Sequence, residues 1–471
     1  MENFDEFDDY RDRISTIGTN GKRVWVYPKK PKGKLYNYRK ITALFLLAFF
    51  FLAPFIKIDG EPFLLFNVLE RKFILFGFPF FPQDFYLLVP VMIAFIVFVV
   101  LFTVVYGRIF CGWLCPQTIF MEFVYRQIEY WIEGNNKQQR RLDLAPLNFN
   151  KLWRKGLKHF LFYFISFITI VWFLAYIIGM DQVFRIFTAD RGSNLALILG
   201  VVVFSGVHFL VFAKLREQVC VIICPYGRLQ GVLLDRNSIV VSYDYNRGEP
   251  RGIYKPHENR ATAGKGDCVE CSSCVQVCPT GIDIRHGTQL ECINCTACID
   301  ACNGVMKRMN KPQGLIRYAS ERSIADTEPL RFNVRILLYS FVLLGLLTLT
   351  GFLFSERTEL EASILRMSGT MYQEYDAQHY SNIYVIQVVN KTRNTLPVEI
   401  ELIQPGGEIK MMGGELNIEK GKVGKADFLL VLDKNVVKKS LTNVKFRVLA
   451  NGREMDVINT SFVGPNSLDR P

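Results

Sequence analysis

No cysteine occurs in the 116 residues after Ser355, so the last quarter of this 471-residue chain has no disulfide framework. A Gly-rich nucleotide fingerprint is missing, and so is a CxxCH haem-attachment motif, which leaves no motif-based case for a dinucleotide or c-type haem enzyme. The net charge is +12, yet the basic residues form no aromatic-interleaved patch. They sit beside long apolar runs, so membrane lipid rather than nucleic acid is the expected partner. The first apolar run follows 40 residues of charged sequence and is not followed by a small-residue cleavage site; it reads as an uncleaved span and not as a signal peptide.

Apolar residues are abundant and clumped: 50% of the chain is hydrophobic, with 39 Phe. Five charge-free stretches stand out, at Ile41 to Ile56, Phe85 to Tyr106, Phe160 to Met180, Leu195 to Ala213 and Ile336 to Ser355. A helix needs about 20 such residues to cross the hydrocarbon core, so four qualify directly and the first must borrow from the Tyr38 or Lys57 flank. A membrane span is favoured over a buried helix of a soluble core for that first stretch, because Phe45, Phe49, Phe50 and Phe51 lie in sequence that is apolar on every side. Lys and Arg number 10 in residues 1–40 and nine between Arg108 and Lys158, against three in 57–85 and two in 181–194. The positive-inside rule therefore predicts a cytoplasmic N-terminus, 107–159 loop and 214–335 segment, and an external C-terminal tail.

Two runs carry the clearest chemistry: Cys268-x2-Cys271-x2-Cys274-x3-Cys278-Pro279 and Cys292-x2-Cys295-x2-Cys298-x3-Cys302. Three closely spaced thiolates fit three corners of a [4Fe-4S] cubane, and in two-cluster ferredoxins the fourth cysteine of each run reaches the other cluster. Cys268, Cys271, Cys274 and Cys302 are thus expected on one cluster, and Cys292, Cys295, Cys298 and Cys278 on the other. Zinc uses CxxC pairs without a trailing fourth ligand, and disulfides need no duplicated register.

The four remaining cysteines repeat at an offset of 109: Cys111-x3-Cys115-Pro116 after the second span and Cys220-x3-Cys224-Pro225 after the fourth. Two hairpins of like orientation would bring four thiols to one depth near the cytoplasmic face. Proline biases the residue before it away from the helical region and favours the first position of a helix. A break is expected, with Cys115 and Cys224 at helix N-termini where amide N–H groups and the dipole favour a thiolate. Pro116 would open an amphipathic segment with Phe120, Val124, Ile128 and Trp131 on one face, and Pro225 another. Thiolates suit soft, redox-active metal, Cu(I) above all, while spacing alone leaves another metal or a dithiol redox couple as alternatives. His208, inside the fourth span, is either a metal-site candidate or a neutral histidine bonded between helices. His159 reads as interfacial, and Met367 and Met371 as packing.

These features divide the chain into a cytoplasmic arm over 1–40, with the Tyr27 to Lys32 Pro/Lys stretch extended, and a four-span domain over 41–234. Between the first two spans, Phe63 to Phe81, with Arg71 and Lys72, reads as a loop dipping into the outer interface. A cytoplasmic domain follows over 235–335, with its ferredoxin unit at about 260–310, marked off as a linked domain by Gly248, Pro250, Gly252, Gly264 and Gly266. The fifth span is 336–355 and an external β domain is 356–471. From about Ala377, short β-prone runs at Asn382 to Val389, Val398 to Ile403, Ala426 to Leu432, Val444 to Ala450 and Glu454 to Phe462 are separated by turn signals, including Asn451-Gly452. The fold class expected is a multi-domain membrane protein: a five-span α-helical bundle, a bacterial-type two-cluster ferredoxin insertion and a C-terminal all-β immunoglobulin-like sandwich.

With these residues in view the chain resembles the cytochrome c oxidase accessory family CcoG, also called FixG or RdxA. The likeness lies in Gly107-Arg108-Ile109-Phe110-Cys111-Gly112-Trp113-Leu114-Cys115-Pro116-Gln117-Thr118, in Arg216-Glu217-Gln218-Val219-Cys220 through Cys224-Pro225-Tyr226, and in Arg247 through Gly252. It continues in Val277 through Arg285 and Gly314 through Tyr318. The CxxxCP pairs also fit the related NapH-type quinol dehydrogenase components; the fifth span and β-rich tail favour CcoG, whose members end in an immunoglobulin-like domain. The resemblance implies a multi-pass inner-membrane protein of Gram-negative type with a periplasmic C-terminal domain. Its implied role is cupric reductase, turning Cu(II) into Cu(I) for copper chaperones and assembly factors of the cbb-type oxidase, as a homodimer and with a cytoplasmic donor not named by sequence. Two [4Fe-4S] clusters would be its cofactors and copper its substrate or bound ion. The eight ferredoxin cysteines and Cys111, Cys115, Cys220 and Cys224 take the family's site roles. Quinol-linked electron transfer and a non-enzymatic copper-binding scaffold are the rival readings. One departure is Asn303 after Cys302, where ferredoxins often have proline.

Overall fold

The computed structural model describes residues 15–465 apart from 19, 70–71, 189–193, 256–259, 261, 327–333, 357, 359, 368, 370, 393, 415 and 438. The first 14 residues of the expected arm, Arg71 of the first loop, residues 327–333 before the last span and 466–471 of the tail lie outside the described residues.

Among the described residues, five helices are long and apolar enough to cross a membrane: Lys34–Phe55, Phe85–Tyr106, Phe149–Ile178, Leu195–Leu215 and Ile336–Ser355. Their large apolar side chains point outward, with Phe45 68% and Phe341 74% exposed, a surface that belongs against lipid. The first span takes its missing length from the N-terminal side. Its free N–H groups at Leu35 and Tyr36 donate to the Asp300 carboxylate at 3.3 and 2.7 Å, a cap supplied by a distant element. Gly33 permits this approach, since a Cβ there would lie 2.2 Å from the Asp300 carboxyl carbon. The third helix starts 11 residues before its apolar run, at Phe149, because Asn148 caps it by accepting from the Lys151 N–H at 2.8 Å.

Two compact units divide the chain, one made of Met1–Ile56, Leu64–Asn67 and Leu88–Leu349, the other of Lys57–Phe63, Val68–Leu87 and Thr350–Pro471. The cysteine-rich region expected as a ferredoxin domain falls in the same unit as the first four spans. Gly248, Gly252 and Gly266 are close-packed, and a Cβ on Gly266 would fall 2.4 Å from the Gly248 carbonyl, whereas Gly264 meets nothing within 4 Å. Strand Val240–Tyr243 pairs antiparallel with Ile316–Ala319, closing the base of the cysteine region. The arm is extended, as expected, and lies on the same unit, with the Lys29 N–H donating to the Gln276 carbonyl. Asn303 has a definite place as well. Helix Ala297–Arg308 runs through it, and its side chain accepts from the Gly314 N–H at 2.9 Å.

In the second unit, the segment expected as an interfacial loop contains an antiparallel hairpin, Lys72–Leu75 with Phe78–Phe80. Phe76 and Gly77 turn it, both at positive φ (54° and 80°), which suits a tight two-residue connection. The tail forms two sheets. One has the order Gly407–Met411, Val423–Asp433, His379–Asn390, Leu360–Arg366, with Gln373–Glu374 beside His379–Asn390; the other has Leu416–Ile418, Leu396–Leu402, Leu441–Ala450, Arg453–Val463. Between them Tyr384, Phe428 and Phe446 meet ring to ring at 5.3 to 5.8 Å. The sandwich begins earlier than Ala377, because Leu360, Ala362 and Ile364 already alternate inward. Asn451 and Gly452 form the expected hairpin turn, at φ 51° and 73°. Lys391 is buried between Asp84 and Glu361, at 2.6 and 2.8 Å.

Candidate metal centres

The two ferredoxin runs fold as local copies of each other. Glu270 and Ser272 in the first, and Asn294 and Thr296 in the second, all take positive φ (52° to 64°) at equivalent places between the cysteines. Alternation of left- and right-handed residues turns successive N–H groups inward, a nest suited to an anionic guest. Each run then enters a helix, Ser273–Gln276 or Ala297–Arg308, carrying its third cysteine.

The copies enclose two cavities. Cys268, Cys271, Cys274 and Cys302 line the first, with about 360 Å³ of atom-free space. Cys278, Cys292, Cys295 and Cys298 line the second, of about 350 Å³, and Cys274 lies in the wall of both. Three cysteines of one run and the fourth of the other thus surround each cavity, the crossed arrangement expected from the spacing. Cys298 and Cys302, four apart on one helix, serve different cavities, so that helix stands between them. Among the described residues no three His, Cys, Asp or Glu side chains converge as ligands of a single ion do. The cysteines line a space rather than meeting at a point, which suits ligands at the corners of a cubane. Burial pushes Cys274, Cys292 and Cys302 up to about 12 and Cys295 to about 11, with neighbouring thiolates adding to the effect. The residues fit iron–sulfur clusters, whose iron would supply the positive charge that ionises these thiols.

The break expected at each CxxxCP is present. Ile109–Trp113 is helical, Cys115 is extended (φ −62°, ψ 124°), and Pro116 opens the turn Pro116–Ile119. In the second copy a π-helical turn, Val219–Ile223, leads to Cys224 (φ −69°, ψ 111°), and Pro225 opens Pro225–Leu233. The repeat holds at the Cys-Pro junction and differs before it. The two pairs influence each other electrostatically: the charges of Cys115, Cys220 and Cys224 bear on Cys111, and those of Cys115 and Cys224 on Cys220. Burial raises Cys111 and Cys220 to about 12, and the neighbouring thiols add to it. The first cysteine of each pair is therefore held as a thiol, and Cys111 Sγ donates to Gln230 Oε1 at 3.0 Å.

Two of these thiols pack behind the wall of the second cavity, which Ile293 and Cys295 line. Cys111 and Cys220 pack against Val277, Ile293, Cys295 and Ala297. Gly112 lies so close to the Cys292–Cys295 segment that a Cβ on it would stand 2.5 Å from the Ile293 carbonyl oxygen. Trp113 donates to the Tyr318 hydroxyl at 3.2 Å, which donates to the Asn294 carbonyl at 3.1 Å.

The segment after Pro116 departs from expectation. Phe120, Val124 and Ile128 join the apolar cluster of Tyr125, Phe162 and Phe212, but Trp131 is 81% exposed. The π turn Phe120–Tyr125 inserts a residue and rotates the downstream side chains off the 3.6-residue register. Its buried face also carries Glu122, Arg126, Glu129 and Glu133, which no sequence motif singles out although their spacing of four, three and four places them on one helical face. Arg126 bonds Glu122 and, at 3.0 Å, the Pro279 carbonyl next to the last cysteine of the first run. Arg216 grips Glu129 with two bonds of 2.6 and 3.1 Å, and Lys158 reaches Glu133 at 2.9 Å. Burial alone would raise Glu129, but Arg216 and Lys158 outweigh it and hold the carboxyl below its ordinary value. A small cavity joins this ion network to Cys220, with Glu122, Arg126, Arg216 and Glu217 on one side and Pro279 and Ile293 on the other. His208 is placed with aromatic neighbours, its ring 4.8 Å from Phe212 and Nδ1 3.4 Å from the Tyr125 hydroxyl. His159 packs edge-on to Phe209.

Residues 215–321 match the family described as a 4Fe-4S dicluster domain, 88–136 one described as a 4Fe-4S binding domain, and 350–465 the IG-like fold at the C-terminal of FixG. The nitrogen fixation protein FixG of Rhizobium meliloti is 33% identical over 307 residues, 64% of this chain and 58% of that protein. Protein RdxA of Cereibacter sphaeroides is 32% identical over 301 residues, 63% of this chain and 62% of its own length, so both matches span less than two thirds of the relative. Protein RdxB of the same organism is 31% identical over 392 residues, 80% of this chain and 81% of that protein.

Proposed function

Because the chain belongs to the FixG/RdxA family of membrane iron–sulfur electron-transfer proteins, we propose that it delivers electrons to copper, reducing Cu(II) to Cu(I) at the four CxxxCP thiols. The observation that carries this reading is the contact of Gly112, Cys111 and Cys220 with the Cys292–Cys295 segment, which sets a thiol group beside the second cluster cavity. The two clusters, when bound, supply single electrons. Cys111, Cys115, Cys220 and Cys224 give the incoming ion soft sulfur donors, which favour Cu(I) over Cu(II) and so assist the reduction. Cys111 and Cys220 must lose their protons to bind it, and Gln230 fixes the Cys111 thiol. Each Cu(II) takes one electron, and the thiols that bind it release their protons to solvent.

The charge asymmetry of the loops supports a cytoplasmic N-terminus, thiol group and ferredoxin unit, with the β domain in the periplasm of a Gram-negative inner membrane. On this reading the product passes to copper chaperones and assembly factors of a cbb-type oxidase, and the chain acts as a homodimer. The test is anaerobic Cu(II) reduction by purified, cluster-loaded protein, wild type against Cys115→Ala and Cys224→Ala. Loss of Cu(I) formation with both clusters retained supports the proposal; unchanged copper reduction, or transfer to quinone alone, defeats it.

A second reading is favoured by the 4Fe-4S match over 88–136, whose two cysteines are Cys111 and Cys115. There the four thiols hold a resident third cluster. Iron analysis separates the readings, at about eight iron atoms per chain for the copper site and about twelve for a third cubane.

A further inference from the structure

A wide cavity adjoins the first cysteine cavity, with about 1090 Å³ of atom-free space including its open mouth, against about 360 Å³ for the cysteine cavity itself. Tyr243 and Arg285 line both, so these two residues form a partition shared by the two spaces. Tyr243 is buried, and its hydroxyl donates to Glu249 Oε1 at 3.1 Å while lying within hydrogen-bonding reach of Cys268. The walls are built on fixed elements. Tyr243 ends the strand Val240–Tyr243, which pairs with Ile316–Ala319, and Asn246 Nδ2 donates to the Ile324 carbonyl at 2.6 Å. Cys271, on the same cysteine cavity, is exposed, so this part of the chain is open to a donor from solution.

The lining of the wide cavity combines two kinds of surface. Tyr245, 42% exposed, and Ile324 offer an aromatic ring and an apolar side chain against which a flat ring system packs. Arg251, His286 and Thr288 add polar groups. The two acids of the wall are already engaged. Glu249 accepts from Tyr243 and from the Arg251 main-chain N–H at 3.0 Å, and pairs with Arg251 Nε at 3.0 Å; Glu321 lies 3.6 Å from Arg236. No described residue accepts a hydrogen bond from the Arg251 Nη groups, which leaves that edge of the guanidinium for an anion, and phosphate suits its geometry.

An iron–sulfur site takes electrons singly, whereas a nicotinamide gives them as a hydride pair, so a small donor bound here must release one electron at a time. Flavins do so, and their phosphorylated forms join a flat ring system to an anion. We propose that this cavity is the electron-entry site of the chain and binds reduced flavin mononucleotide as a dissociable donor, its ring against Tyr245 and Ile324 and its phosphate on Arg251. The bound hydroquinone loses one electron and one proton and becomes the neutral flavin radical. The electron crosses the Tyr243 and Arg285 partition and reduces the Cys268, Cys271, Cys274 and Cys302 site by one unit, while the proton passes to solvent. The radical then gives its electron and second proton in the same way, leaving oxidised flavin to dissociate. This inference rests on the first cluster site and on iron–sulfur electron transfer, not on copper as the acceptor.

Equilibrium dialysis of oxidised flavin mononucleotide and of riboflavin against the purified, cluster-loaded full chain, anaerobic and without copper, tests the site. Flavin mononucleotide should bind at one site per chain and more tightly than riboflavin, which lacks the phosphate. Arg251→Gln should weaken flavin mononucleotide about tenfold and riboflavin little, and Tyr245→Ala should weaken both. In stopped flow with photoreduced flavin mononucleotide, the rate of cluster bleaching should saturate with flavin concentration in the wild type, and at higher concentration in both variants. No stoichiometric binding to the wild type overturns the inference, as do equal affinities for the two flavins or a bleaching rate that rises linearly without saturation. Saturable reduction by a flavin-bearing protein alone, with no binding of the free flavin, overturns it too. If Arg251→Gln fails to load its clusters, Tyr245→Ala and the wild-type preference for the phosphorylated flavin decide. Failure of copper reduction with flavin binding intact would count against the proposed function and leave this inference standing.

Discussion

The α-carbon of Gly112, inside the first CxxxCP motif, and the carbonyl oxygen of Ile293, between two cluster cysteines, approach so closely that a methyl group on Gly112 would stand 2.5 Å from that oxygen. Arg39 accentuates the junction by holding the Gly112 carbonyl from the other side.

Gly112→Ala should therefore prise the thiol group from the second cluster site. Overpacking of this kind costs roughly 1–3 kcal/mol. We expect a lower thermal midpoint in detergent and slower Cu(II) reduction, with iron content preserved; wild-type values for both would show that the contact does not matter.

The crossed lining of the two cavities predicts which cluster each distal cysteine serves. Cys302→Ala should remove the EPR signal of the first cluster and Cys278→Ala that of the second, each variant losing about half the iron. Loss of the cluster belonging to the same run would refute crossed ligation.

Copper affinity should depend steeply on pH. Burial holds Cys111 and Cys220 near 12, so both are thiols at neutral pH and must release protons to bind Cu(I). Raising the pH removes the competing protons, and with two released the affinity should rise about 100-fold per pH unit around neutrality. Competition against a chromophoric Cu(I) chelator at several pH values, corrected for the chelator, measures this; a flat profile would mean that these two thiols are not ligands.

Glu129 is buried against Arg216 and Lys158, so Glu129→Gln leaves two cations short of their partner, at a cost of roughly 3–5 kcal/mol. In the wild type the carboxyl is held below its unfolded value near 4.5. Its stabilisation is present above that pH and is lost as pH falls through the depressed folded value. Thermal midpoints between pH 3 and 7 should fall on acidification in the wild type and less steeply in the variant.

Periodic and spaced signals were readable from residues alone. Charge-free runs located the five apolar helices, because lipid tolerates no other composition, and the cysteine register named the cysteines that line both cavities, because a cubane admits few spacings. Proline marked the break at Cys115 and Cys224 by steric restriction, a local effect. Trp131 was misplaced because a π turn shifts register without a residue-level signature. The stripe of Glu122, Arg126, Glu129 and Glu133 had helical spacing, but its burial depends on Arg216 and Lys158, far away in the chain.

The sequence by itself determined the iron–sulfur class of chemistry and the apolar helices, since each follows from composition or from distances of a few residues. Tertiary structure decided where the first span begins, through the Asp300 cap, and that the ferredoxin segment shares a unit with the first four spans. It also decided which cysteine cavity lies nearer Cys111 and Cys220. Those depend on contacts between residues 73 to 265 positions apart, such as Arg39 with Gly112 and Leu35 with Asp300, which no local pattern encodes.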